Sequence, residues 1–158
     1  MSVRDATPAD VPTLVRLIRA LAEYERLGHE AEPDADRLRE HLFGDRPCAQ
    51  ALVAEVNGAA VGFALYFTSY STFLTRPGLY LEDLFVLPDH RGHGHGKALL
   101  IELARRAVAR GCGRLEWAVL DWNEPAIRFY QSLGAKAMSE WTVNRVTGDA
   151  LVWLAGAV

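Results

Sequence analysis

Residues 79 to 110 constrain the fold more than any other stretch. Leu79 to Leu87 is a mostly apolar run that reads as a buried strand, yet it holds two carboxylates, Glu82 and Asp83. Pro88 ends the run. Gly92, Gly94 and Gly96 then alternate with His93 and His95 behind Arg91. From about Gly94 to Arg110, the residues Leu99, Leu100, Leu103, Ala104 and Ala107 recur on one helical face. Glycines beside a helix start let backbone N–H groups point into one concavity. With the positive end of the helix dipole, that concavity suits an anionic phosphate. Arg91 and Lys97 add charge at its edges. On the glycines alone, an ordinary strand-to-helix turn is the plainer alternative.

The remaining elements are read from period and punctuation. "SVRDA" is a short strand, and Thr7 before Pro8 starts a helix that runs to about Arg26. A second, short helix is expected from about Ala35 to Phe43. Residues 49 to 71 form a hairpin whose turn is Asn57-Gly58, the pair suited to type I′ geometry. "RLEWAVLDW" is a further strand and "EPAIRFYQSLG" a helix with proline in its first turn. "EWTVNRV" and "ALVWLA" are expected to close the chain as a second hairpin. The order is β-α-α-β-β-β-α-β-α-β-β, an α/β (α+β) domain with a mixed, mostly antiparallel central sheet.

Composition narrows the class. A chain of 158 residues, half of them hydrophobic, fits one domain with a full core. A net charge of −3 offers no broad footprint for nucleic acid. No apolar run reaches the ~20 residues of a membrane span, and the first residues lack a signal peptide's apolar stretch. Cys48 and Cys112 stand isolated, without metal-ligand spacing. A cytoplasmic protein with no metal and no membrane or nucleic-acid partner is the expectation.

The glycine loop fits neither common phosphate motif. Gly92 to Gly96 is one residue short for G-x-x-x-x-G-K-[ST], and Ala98 follows Lys97. The spacing G-x-G-x-G also differs from the dinucleotide fingerprint. It does fit R-x-x-G-x-G. With "YLEDLFV" before it and "DWNEPAIRFYQSLGA" after it, the chain resembles the GNAT N-acetyltransferases over essentially its whole length. Within them it is similar to the spermidine/spermine (diamine) and thialysine acetyltransferase branch.

That resemblance implies a single GNAT domain over residues 1–158, acetyl-coenzyme A as co-substrate and a homodimer. Arg91, Gly92, His93, Gly94, His95, Gly96 and Lys97 would hold the pyrophosphate. Leu84, Phe85 and Val86 would present backbone groups to the pantetheine arm, and Asn123, Glu124, Pro125 and Ala126 would make a second cofactor contact. Tyr24, Glu25, Glu116, Trp117 and Ala118 would border the acceptor amine. His90, His93 and His95 are read as loop residues facing solvent rather than as metal ligands.

Acetyl transfer to an amine sets its own requirements. An alkylammonium with pKa near ~10.4 has no lone pair until it loses a proton, and the departing thiolate needs one. The resemblance gives Glu82 the role of base through a water, Asp83 a share in amine binding, and Tyr130 the proton for the thiolate. From the residues alone, Glu82 and Asp83 could be a salt-bridged pair, and Tyr130 could be a packed aromatic. Strict alternation places Glu82 with Leu84 and Val86, and Asp83 with Phe85. Ser71 stands where polyamine enzymes carry an acid, so diamines and lysine-like amino acids are as open as polyamines. The competing reading is a coenzyme A-binding regulatory module without turnover. It would have no need of both Glu82 and Tyr130.

Overall fold

The computed structural model describes residues 1–157. The elements are β1 (Ser2–Asp5), α1 (Val11–Tyr24), α2 (Ala35–Phe43), β2 (Gln50–Val56), β3 (Ala59–Ser71), β4 (Arg76–Val86), α3 (His95–Ala109), β5 (Leu115–Trp117), α4 (Glu124–Ser132) and α5 (Gly148–Gly156). Contacts divide the chain into two units, Met1–Leu120 and the residues from Asp121 onward.

In the first unit five strands form one sheet in the order β1-β2-β3-β4-β5. The first three pairings are antiparallel and β4–β5 is parallel. The β2–β3 hairpin turns at Asn57 and Gly58, with φ of 51° and 80°, as a type I′ turn requires. The start of α1 follows from Asp10, whose carboxylate accepts from the Thr7 amide (2.7 Å) and hydroxyl (2.8 Å). Arg4 closes the same corner with two hydrogen bonds to Asp10.

Leu14, Leu17 and Leu21 repeat at helical spacing along α1, so one stripe of that helix is apolar. This stripe packs with Leu42 of α2 against Ala51, Val53, Phe63 and Phe85 on one face of the sheet. Alternation sends Tyr66 to the opposite face, where its hydroxyl accepts from Arg106 of α3 at 2.9 Å. Arg106 also pairs with Asp5 and Glu102, which fixes α3 against the β1 end of that face.

The second unit departs from expectation. The closing hairpin is absent: residues 141–147 form no strand, and "ALVWLA" lies within helix α5. An unbroken run of six apolar residues carries no period, so pattern alone does not separate strand from helix there. Thr147 takes an extended N-cap conformation and Asp149 sits in the first turn, both of which favour a helix start. The strand expected over "RLEWAVLDW" is also shorter, only Leu115–Trp117.

Candidate active site

The site is organised by a bulge in β4. Leu65 pairs with Asp83 and its neighbour Tyr66 pairs with Leu81, so Glu82 is the extra residue on β4. Leu65 and Phe67, two apart on β3, share a face. Their partners Asp83 and Tyr80 therefore share it too, although they are three apart on β4. Strict alternation fails between Tyr80 and Asp83, where Glu82 is inserted; from Asp83 to Val86 the pairing is regular, so Asp83 keeps the expected face of Phe85. Tyr80 stacks on Phe67 with ring centroids 5.2 Å apart. Its phenol is held up by burial and by the nearby charges of Glu82 and Glu116.

Pairing with β5 ends at the same point. Tyr80 stands opposite Glu116 and Leu81 opposite Trp117, and no β5 residue pairs with β4 beyond Leu81. From Glu82 to Val86, β4 pairs only with β3. Its other edge has no strand partner, so an extended ligand can add to it as a strand does.

Asp83 looks into a cavity of about 200 Å³. Ile18, Leu21, Ala22, Leu27 and Ala31 make its apolar walls, and Glu25, Glu30 and Asp83 bring carboxylates into it. Burial, then Glu82, then Glu25 push the Asp83 carboxyl up to about 6. Burial alone pushes Glu25 up. Glu82 itself is exposed and does not line the cavity. The segment Leu27–Ala31 had no functional reading in the sequence, because its polar composition resembles an ordinary loop.

The glycine loop lies beyond the strand. Gly92 and Gly94 have φ of 77° and 82°, a region that L side chains rarely enter. Gly94 is the N-cap of α3, and the first intrahelical bond runs from Ala98 to Gly94. The amides of His95, Gly96 and Lys97 therefore have no acceptor within the helix. A Cβ placed on Gly92 or Gly94 would point into open space. Free amides, a positive helix end and room above them fit a pyrophosphate.

Two loop residues make contacts within the protein, and one of them, His95, differs from expectation. Arg91 donates through Nε to the Val86 carbonyl at 2.9 Å, and its guanidinium lies over the rings of Tyr24 (4.5 Å) and Phe85 (5.4 Å). His95 does not face solvent: it is 6% exposed, and Nδ1 has no hydrogen-bond partner. As the first residue of α3 it falls on the stripe of Leu99 and Leu103, at i, i+4 and i+8, so the helix carries it inward. His93 stays exposed. The His90 and His93 rings lie 6.2 and 6.1 Å from that of His95. No group of three or more His, Cys, Asp or Glu among the described residues could hold a metal ion.

A family model described as "Acetyltransferase (GNAT) family" matches residues 14–135. The chain belongs to this acetyltransferase family. It is 40% identical to the thialysine N-epsilon-acetyltransferase of Bos taurus, over 98% of this chain and 96% of that one. It is 34% identical to an L-ornithine N5-acetyltransferase of Arabidopsis thaliana, over 94% and 85%. A solved integron cassette protein from the V. cholerae mobile metagenome superposes with a TM-score of 0.83 at 28% identity, covering 99% and 98% of the two chains. The mixed five-stranded sheet with flanking helices is accordingly a GNAT fold, and the protein is an acyltransferase by family.

Other expected site residues lie where the elements put them. Tyr24 is the last residue of α1 and Glu25 its C-cap. Glu116 pairs with Arg114 at 2.7 Å on β5, Trp117 ends that strand and Ala118 follows it. Asn123, Glu124, Pro125, Ala126 and Tyr130 belong to the second unit. There Asn123 caps α4, its side-chain oxygen accepting from the Ala126 amide at 3.4 Å, and Glu124 pairs with Arg128 at 3.4 Å. Tyr130 lies two turns into α4 beside Phe129, ring centroids 5.3 Å apart.

Proposed function

We propose that this protein transfers the acetyl group of acetyl-coenzyme A to a primary amine of a small molecule, by direct attack of the amine. The observation that carries the reading is the junction on β4. An acidic, apolar-walled cavity opens at Asp83, beside a strand edge left unpaired from Glu82 onward. The amides of Gly92 to Lys97 would take the pyrophosphate, with Lys97 as a countercharge. Leu84, Phe85 and Val86 would bond the pantetheine arm along the free edge. The bound thioester supplies an activated acetyl carbon. The contribution of the second unit would be Asn123 to Ala126 as a further cofactor contact and Tyr130 as the proton donor to the thiolate.

The carboxylates of Asp83, Glu25 and Glu30 favour a cationic acceptor. Ser71 does not replace the missing acid functionally. It is buried, and its hydroxyl accepts from the Leu74 amide at 3.2 Å to turn the β3–β4 connection. A diamine or lysine-like amino acid therefore fits better than a long polyamine. The homodimer implied by the resemblance belongs to the same proposal.

The experiment is free-thiol release from acetyl-coenzyme A with thialysine, L-ornithine, 1,3-diaminopropane and spermine as acceptors. Acetylation of at least one small amine is expected. Tight coenzyme A binding with no turnover on any of them would favour a regulatory module instead.

A further inference from the structure

We propose that the ion pair Arg114–Glu116, with the Tyr80 ring beside it, is a second acceptor subsite: it holds the α-ammonium and α-carboxylate of an amino acid whose side-chain amine is acetylated at the β4 junction. The inference rests on the acetyltransfer reading above and names the class of acceptor within it.

These residues share one face of the sheet. Leu65, Phe67 and Ser69 alternate along β3, and their partners on β4 are Asp83, Tyr80 and Gly78. Tyr80 stands opposite Glu116 on β5, and Arg114, two residues earlier, bonds Glu116 at 2.7 Å. Gly78 fixes the side on which Arg114 lies: a Cβ there would meet Ser69 Oγ at 2.8 Å and Arg114 Cγ at 3.2 Å. Three rows therefore follow one another from the cavity toward the β3–β4 turn. Asp83 comes first, then Glu116 with the stacked, half-buried rings of Tyr80 and Phe67, then Arg114.

The spacing of the rows matches a short amino-acid side chain. Two residues along a strand span about 7 Å. In an extended lysine-like side chain, roughly 6 Å separates the terminal nitrogen from Cα. An amine held at Asp83 thus carries its Cα to the row of Tyr80 and Glu116. There the α-ammonium would meet a carboxylate and an aromatic ring, both of which attract a cation. Glu82 and Glu116 lie close enough to Tyr80 for their charges to raise its phenol. The α-carboxylate would meet the Arg114 guanidinium, whose planar fork matches two carboxylate oxygens.

The pair is free to exchange partners. The Arg114 and Glu116 side chains are 39% and 38% exposed, so their mutual bond contributes little to stability. A zwitterion offers each of them its opposite charge at once. A diamine competes with Arg114 for Glu116 and brings no anion in return. The subsite therefore selects for the carboxylate.

The test sets L-ornithine and thialysine each against the diamine that loss of its carboxylate leaves, using the full chain and saturating acetyl-coenzyme A. Wild type should favour the amino acid by about tenfold or more in kcat/KM. Arg114→Gln should cut that ratio about tenfold through the KM of the amino acid, with kcat little changed, and Arg114→Lys should restore part of it. Glu116→Gln and Tyr80→Leu should raise KM for amino acid and diamine alike, since both carry the second ammonium. An equal fall on both acceptors in Arg114→Gln would make the arginine structural and overturn the subsite. So would a wild type with no preference for the amino acid, a comparison that needs no variant to fold. Turnover on none of the four acceptors would instead overturn the acetyltransfer reading, and the subsite with it.

Discussion

The guanidinium of Arg91 lies over the ring of Tyr24, 4.5 Å from its centroid, and ties the glycine loop to the end of α1. Its Nε also holds the Val86 carbonyl at the end of β4. One side chain thus links the loop proposed for pyrophosphate to the helix end and strand that border the Asp83 cavity. An exposed cation–π contact is worth ~0.5–1 kcal/mol and a hydrogen bond about as much. Arg91→Lys keeps the charge but loses the planar fork. It should lower Tm by ~2–4 °C, the shift about 1 kcal/mol gives in a chain of this size. Tyr24→Leu should cost part of that, and the double variant less than the sum. Strict additivity in thermal unfolding would separate the two residues.

Gly94 makes a sharper prediction. At φ 82° an added Cβ meets no atom, so the cost of Gly94→Ala is conformational, ~1–2 kcal/mol. The same Cβ would occupy the space above the free amides of α3. Acetyl-coenzyme A should raise the Tm of wild type, and Gly94→Val should lose that response while remaining folded. Equal stabilisation of both by the cofactor would rule the loop out as its phosphate site.

Much of this was legible in the chain. Helix α2 follows its expected bounds, Ala35–Phe43, and α3 runs His95–Ala109, within a residue of expectation. Apolar spacing and caps are local signals, and the "YLED", glycine-loop and "NEP" segments are local too. What sequence left hidden depends on pairing. The bulge at Glu82 exists only relative to Leu65 and Tyr66, and strict alternation is the default that it breaks. His95 turned inward because it opens the helix four residues before Leu99 on the buried stripe, a phase that the reading of it as a loop residue ignored. The cavity joins Ile18, Leu27 and Asp83, residues that no window holds together.

Asp83 also sets a stability prediction. Its folded pKa, about 6, lies above an unfolded value of ~3.9, so the folded state binds the extra proton between those limits. Stability from this group rises as pH falls from above 6 to below 4, and its ionised form costs on the order of 3 kcal/mol at pH 7. Asp83→Asn should therefore raise Tm at pH 7.5 and have little effect near pH 4. Asp10 has the opposite sign. The Arg4 guanidinium holds its carboxyl down to about 2, so its contribution is present above ~4 and is lost as pH falls toward 2. Asp10→Asn should lower Tm at pH 7.5 and lose its effect in acid. Equal shifts at both pH values would contradict these environments.

Acceptor length follows from Ser71. With the Ser71 hydroxyl committed to the β3–β4 turn, a second ammonium at the far end of a long polyamine finds no acid there. Spermine should not exceed thialysine or 1,3-diaminopropane in kcat/KM by as much as a hundredfold. A larger preference would mean that other residues bind the distal amine.

The last prediction concerns Tyr130, whose proposed task is to protonate the departing thiolate. Tyr130→Phe keeps the ring beside Phe129 and removes only the hydroxyl. Losing a positioned acid lowers rate by roughly 10²–10⁴-fold, and the affinity for acetyl-coenzyme A should change little. Some rate should survive, because a thiol with pKa near ~8.5 can leave without a full proton transfer. Raising the pH supplies free amine but no acid. Tyr130→Phe should therefore stay impaired at the pH where Glu82→Gln recovers, and the two variants separate acid from base in one pair of profiles. A fully active Tyr130→Phe would make this tyrosine a packing residue of α4.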